Sequence, residues 1–187
     1  MKIVFLDIDG VLNGYNFFNV FGWRIVCLFK NKYLRNWYRK ITNPCGVHES
    51  KVKRLAKIIK ETKAKVVLTS TWRHYFWNVP YEEKDGRQKQ LADLFNKYDI
   101  DVIDITPSIP NKKRDSEIIS WLAKHECEVE KFIILDDEKS LIRAFEDDEC
   151  FIETVTFPFG GKIKLNIQAY LGITNKQVKR AIKFLNV

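Results

Sequence analysis

The stretch "MKIVFLDIDGVLNG" (Met1–Gly14) decides how the rest of this chain is read. Four apolar residues, Ile3–Leu6, run into two acids one residue apart, Asp7 and Asp9, and a glycine follows at once. A short apolar run with β-branched members reads as a buried strand, and Asp and Gly are also ordinary strand-ending residues. At i and i+2 on extended backbone the two carboxylates project to the same side, roughly 7 Å apart. Acids so placed can divide labour: one attacks an electrophile, while the other gives and later takes a proton. Whether they act or merely end a strand depends on what the other strands bring beside them.

Further short β-branched runs follow, at Lys65–Leu68, Asp101–Ile105, Lys131–Leu135 and Phe151–Val155. Helical periodicity separates them. Val52, Leu55, Ala56 and Ile59 share a face from about Ser50 to Glu61. Leu91, Leu94 and Phe95 mark a second helix, and Ile118, Ile119 and Leu122 a third. A fourth is expected from Lys139 to about Glu146, and a last one, capped by Thr174, carries Val178, Ile182 and Leu185. Alternation of this kind predicts an α/β fold with a mostly parallel sheet covered on both faces. Ligands of such sheets bind beyond the carboxyl ends of the strands. Three strand ends there offer polar side chains: Asp7, the pair Thr69 and Ser70, and the pair Asp136 and Asp137.

The residue types at these ends match one chemistry. "VVLTSTWR" ends its strand in hydroxyls with Arg73 just beyond, and a hydroxyl and a guanidinium suit phosphoryl oxygens. "NKKR" (Asn111–Arg114), just before a helix, supplies cations for the same group or for a nucleophile's carboxylate. "FIILDDE" ends in Asp136 and Asp137, and paired carboxylates among oxygen ligands suit Mg²⁺. In-line phosphoryl transfer is catalysed mainly by positioning and electrostatics, and these residues provide both. By contrast, His48, His74 and His125 have no ligand spacing and read as surface or packing residues. Asp147 and Asp148 read as solvated acids at a helix end.

Length and composition bound the rest. The 187 residues fit one domain, with a formal net charge of +8 that favours an anionic partner. Four cysteines show no CxxC spacing, and the apolar start is too short for a signal peptide, so free thiols and a cytoplasmic protein are expected. No apolar stretch approaches the ~20 residues that span a bilayer. The segment 15–42 stands apart. It carries Arg24, Lys30, Lys32, Arg35, Arg39 and Lys40 with no acid, interleaved with nine aromatic residues.

In "FLDIDGVL", "VVLTSTWR", the basic cluster Lys112–Arg114 and "IILDD", in that order, the chain resembles the haloacid dehalogenase (HAD) superfamily of aspartate-based phosphatases. The longer stretches "NPCGVHESKVKRLAKIIKETKAKVVLTSTWR", "RDSEIISWL" and "GITNKQVKRAI" make it similar to the HAD domain of Swiss Army Knife RNA-repair proteins. The resemblance implies a Rossmann-like HAD fold with a small cap inserted after the first strand. It implies Asp7 as nucleophile and Asp9 as general acid/base in a phosphoric monoester hydrolase working through an aspartyl-phosphate. Asp136 would be the carboxylate nearest Mg²⁺, along with Asp7 and the Asp9 carbonyl, and Asp137 a second ligand or a partner for the basic residue. Phosphate would be bound by Thr69 or Ser70, by Arg73, and by a basic residue, Arg114 ahead of Lys113 and Lys112.

The 15–42 insertion carries the substrate question. Its aromatics and cations suit base stacking and a phosphate backbone, with Arg35, Arg39 and Lys40 as substrate-binding candidates. They also suit an anionic membrane surface, or a cap packed by its own aromatics with solvated charges. The expected substrate is a phosphomonoester on a nucleotide or a nucleic-acid end. The alternatives are a small-metabolite phosphatase and a nucleic-acid- or membrane-binding protein on a HAD scaffold.

Overall fold

The computed structural model describes residues 1–13, 22, 25–26, 28–42, 46–156 and 170–187, with backbone alone for 39–42, 155–156 and 170–171. The Ile3–Leu6 run forms the central strand β1 (Lys2–Leu6) of a five-stranded, all-parallel sheet. Its neighbours are β2 (Lys65–Leu68) and β4 (Lys131–Asp136), with β3 (Val102–Ile105) and β5 (Phe151–Glu153) at the edges, in the order β3-β2-β1-β4-β5. A two-stranded antiparallel ribbon, β6 (Val155–Thr156) with β7 (Tyr170–Gly172), stands beside it.

Near-continuous apolar strands are what a sheet buried on both faces requires. Along β1, Val4 and Leu6 face one core with Leu55, Ile58, Leu91, Phe95, Ala181 and Leu185. Ile3 and Phe5 face the other, with Ile118, Trp121, Ile134 and Phe151. Three helices therefore cover the first face: α2 (Glu49–Thr62), α4 (Gly86–Lys97) and α6 (Asn175–Asn186). Helix α5 (Arg114–Lys124) covers the second. Two more helices are α1 (Lys32–Thr42) in the insertion and the single turn α3 (Arg73–Phe76) after β2. Thr174 caps α6 as expected, and Gln177 closes the box by accepting from the Thr174 N–H at 2.7 Å.

One expected helix is absent. Lys139–Glu146 forms two 3₁₀ turns, Lys139–Leu141 and Arg143–Phe145, instead of an α-helix. Ile142 lies between them at φ −118°, outside the helical range, and its side chain is fully buried in the second core. Burying that side chain and tying the Ala144 N–H to Asp115 Oδ2 at 3.2 Å outweigh helical continuation over so few residues. The expected strand Phe151–Val155 is likewise broken at Thr154. Its N–H still bonds the Asp136 carbonyl at 2.8 Å while its hydroxyl donates to the Gly10 carbonyl at 3.0 Å, and the ribbon begins at Val155.

The order of strands fixes where the site must be. From β1 the chain winds outward through β2 to β3, then crosses to β4 and β5 on the other side. The switch in winding direction falls between β1 and β4, where a crevice opens at the carboxyl ends.

Candidate active site

Strand register puts the motif residues in one row. Leu6 is level with Leu68 on β2 and Leu135 on β4. One residue further, Asp7 therefore stands level with Thr69 and Asp136, and the pairing continues through Thr69 N–H to the Leu6 carbonyl and Asp7 N–H to the Leu135 carbonyl, both 3.0 Å. Equal level and the two-residue side-chain period place all three side chains on the same face.

From that face Arg114 reaches in. It is the first residue of α5, and one terminal nitrogen, Nη1, lies 3.1 Å from Asp7 Oδ2 and bonds Asp136 Oδ2 as well. A single guanidinium thus bridges the two buried carboxylates. Asp136 is completed by the Glu138 N–H, which donates to Oδ1 at 2.8 Å. Asp137 adds a third carboxylate: one oxygen from each of Asp7, Asp136 and Asp137 lies within 4.8 Å of the others. Gly10 makes room for it. Its φ is +71°, and a Cβ there would lie 2.6 Å from Asp137 Cβ and closer still to the carboxyl carbon.

Three acids with one paired cation are electrostatically incomplete. Burial pushes Asp7 up to about 6, with Arg114 pulling it down and Asp136 pushing it up again. Burial, then the charges of Asp7 and Asp136, push Asp137 up to about 7. Asp136 is raised chiefly by burial, against the pull of Arg114. Burial works against the charge of Arg114, and the two aspartates more than offset it. Two buried oxygens in the row, Asp7 Oδ1 and Thr69 Oγ1, have no hydrogen-bond partner. An all-oxygen set with excess negative charge and an orphaned buried carboxylate oxygen fits a divalent cation of the Mg²⁺ type.

Asp9 stands outside the carboxylate cluster and is exposed. Both its oxygens are held: Oδ1 accepts from Asn13 Nδ2 at 2.5 Å and Oδ2 from Trp72 Nε1 at 3.0 Å. Asn13 is itself fixed, its Oδ1 accepting the Gly10 N–H at 2.8 Å and its carbonyl the buried Lys51 Nζ at 2.6 Å. Asn13 and Trp72 were not among the residues singled out from sequence. Signals for both existed. Asn13 lies four residues beyond Asp9 across a glycine turn, and a part-buried indole N–H needs an acceptor.

Other expected residues take different places. The Arg73 guanidinium does not open onto the crevice as a phosphate ligand would. Nη1 donates to the carbonyls of Thr69 and of Ser70 (3.2 Å for the latter), and Nη2 pairs with Glu117 Oε2 on α5 at 2.8 Å. Its length lets it fold back beneath its own strand end, which needs those carbonyls satisfied. Ser70 Oγ accepts the Trp72 N–H at 3.4 Å. Lys113 donates to the Ser140 carbonyl at 3.0 Å, and Lys112 is exposed. Arg35 bonds back to the Lys30 carbonyl at 3.5 Å within the insertion, while the side chains of Arg39 and Lys40 lie outside the described residues. The insertion leaves and rejoins the fold at one point, where Asn13 bridges Val47 and the His48 N–H bonds the Leu12 carbonyl at 2.9 Å. Among the described residues no helix is long and apolar enough to cross a membrane.

Residues 3–156 match the profile of one family, described as the HAD domain in Swiss Army Knife RNA repair proteins. Neither the curated proteins nor the solved structures gave a match.

Proposed function

The chain belongs to the HAD domain family of Swiss Army Knife RNA repair proteins, and on that premise we propose that it is a Mg²⁺-dependent phosphatase acting on a nucleic-acid end. Membership makes it a hydrolase of the HAD kind. The observation that carries the finer reading is the Arg114 bridge between Asp7 and Asp136, with Asp137 beside it at the topological switch point. The RNA-repair setting of the family and the acid-free basic insertion support the choice of substrate.

In this reading Asp7 attacks phosphorus in line with the scissile P–O bond. Arg114 keeps Asp7 oriented and ionised. As the ester bond breaks, Asp9 gives its proton to the leaving oxygen, leaving Asp7 phosphorylated. A water then attacks the same phosphorus, Asp9 takes the water's proton, and the Asp7–phosphorus bond breaks to release inorganic phosphate. Asn13 and Trp72 hold the Asp9 carboxylate in place through both steps. Thr69, with its unpartnered hydroxyl, is the phosphate-oxygen donor, and Arg73 positions the strand end from behind. Mg²⁺, held by Asp7, Asp136, Asp137 and the Asp9 carbonyl, supplies neutralisation of phosphoryl charge when bound.

The test is phosphate release from an aryl phosphate, from 5′- and 3′-phosphorylated oligonucleotides and from sugar phosphates, with and without Mg²⁺. Turnover should need Mg²⁺, favour an oligonucleotide and fall to background in Asp7→Asn. Full activity in that variant would remove the mechanism, and a preference for sugar phosphates would remove the nucleic-acid substrate.

A further inference from the structure

A cavity of about 320 Å³ lies directly behind the Asp9 clamp. Its walls are Thr71, Trp72 and Tyr75, from the segment after β2, and Asp85, Arg87 and Gln88, from the start of α4. Trp72 belongs to both sites. Its Nε1 holds Asp9, and its indole forms part of the cavity wall, so whatever fills the cavity lies beside the residue that protonates the leaving group.

The lining is selective in kind. Tyr75 is 64% exposed and makes no ring contact among the described residues. The Arg87 guanidinium lies 5.9 Å from the centre of the Trp72 ring, and among the described residues it forms no ion pair. Asp85 shares the cavity wall without forming an ion pair with it; its Oδ1 accepts the backbone N–H groups of Arg87 and Gln88 at 2.9 and 2.8 Å. Gln88 spends its carbonyl on the Asp85 N–H at 3.1 Å, which leaves its amide N–H₂ without a partner among the described residues. The cavity therefore offers two aromatic side chains, a guanidinium held in no ion pair among the described residues, a carboxylate turned to the backbone through one oxygen, and one free amide donor. Its size is at the lower end of small-ligand pockets. A short acid phosphate would leave the aromatic faces unused. A heteroaromatic base stacks on them and presents a carbonyl edge to the amide, and a neighbouring phosphate meets the guanidinium.

We propose that this cavity is the leaving-group subsite. It holds the base of the nucleotide that bears the scissile phosphate, and Arg87 pairs with the phosphodiester that joins that nucleotide to the next. The proposal rests on the phosphatase reading above and adds what that reading lacks, a place beside the central sheet where nucleic acid is recognised independently of the insertion.

The test uses the full chain and two probes, a phosphorylated dinucleotide (in 5′ and 3′ forms) and its counterpart lacking the base on the phosphorylated residue. Equilibrium binding is measured with Asp7→Asn and turnover with the native chain. Binding and kcat/KM should favour the base-bearing probe roughly 10-fold or more. Tyr75→Ala should reduce that ratio toward one. Arg87→Ala should weaken dinucleotide binding and flatten the slope of log K against log salt by about 0.7, as expected for one lost phosphate contact to a single strand. Arg87→Lys should restore the slope. Equal treatment of the two probes, or a preference that survives Tyr75→Ala, overturns the proposal while leaving the phosphatase reading intact. Base-dependent binding without turnover of any phosphate ester supports the subsite and removes the phosphatase reading instead.

Discussion

Replacing Gly10 by alanine tests whether the glycine exists to admit Asp137. Two costs add. At φ +71° an L-residue is in the left-handed region, which costs roughly 1–2 kcal/mol. The new Cβ would also sit 2.6 Å from Asp137 Cβ, where carbon atoms normally stay about 3.5–4.0 Å apart, so one side must retreat by about 1 Å. Forcing extra volume into a packed site costs typically 1–3 kcal/mol. Gly10→Ala should therefore lose about 2–5 kcal/mol, read by urea unfolding in EDTA so that metal binding does not enter. Activity should fall on the order of 100-fold, because an ångström of displacement at a reacting centre has that effect. A double-mutant cycle separates the two costs. In an Asp137→Gly background the three nearest contacts of the added methyl are gone, so chiefly the backbone part, about 1–2 kcal/mol, should remain. A cycle that closes to zero, or a Gly10→Ala enzyme with more than half the native activity, would refute the argument that Gly10 and Asp137 are fitted to each other.

Three further outcomes follow from single contacts. Trp72→Phe keeps the ring but removes the N–H that holds Asp9 Oδ2, so kcat on a small aryl phosphate should fall about 10-fold with KM little changed, a split that steady-state kinetics reads directly. Arg73→Ala leaves Glu117 buried without its partner and should cost about 3–5 kcal/mol, seen as a large drop in Tm; a Tm within a degree of native would show that the pair does not hold the strand end to α5. Glu49 is held down to about 2 by hydrogen bonds from Lys97 and then Tyr98, well below its usual 4.5. A depressed folded-state value stabilises above pH 4.5 and is lost as pH falls toward 2. Tm measured across that window should decline less steeply in Glu49→Gln than in the native chain, and parallel curves would show that the contact carries no proton linkage.

Much of the fold is local pattern. Apolar runs of four to six residues bounded by turn formers became strands. The helical face Val52, Leu55, Ala56 and Ile59 turned inward, the first two fully and the last two in part, while Ile58, outside that expected face, is fully buried. The pattern misled over Lys139–Glu146, where one buried isoleucine between two turns outweighed helical continuation. It also misled over Arg73, whose side chain is long enough to serve either the crevice or the strand behind it. Which hydroxyl of Thr69 and Ser70 stays without a partner was open in one dimension as well. The answer depends on the Trp72 N–H, which reaches Ser70 Oγ and leaves Thr69 alone.

Taken alone, the sequence determined the chemistry on offer: Asp7 and Asp9 at one strand end, hydroxyls at a second, Asp136 and Asp137 at a third, with the basic run ahead of α5. Those are matters of residue type and order, which no folding step can alter. The tertiary structure decided the assignments. Register alone set Asp7, Thr69 and Asp136 level with one another, and the start of α5 alone picked Arg114 out of three adjacent cations to bridge two aspartates. Contacts between residues 63 positions apart tied Trp72 to Asp9 and placed an aromatic-walled cavity beside that carboxylate. Selection of this kind depends on distance and on competition for hydrogen bonds, and both exist only once the chain has closed on itself.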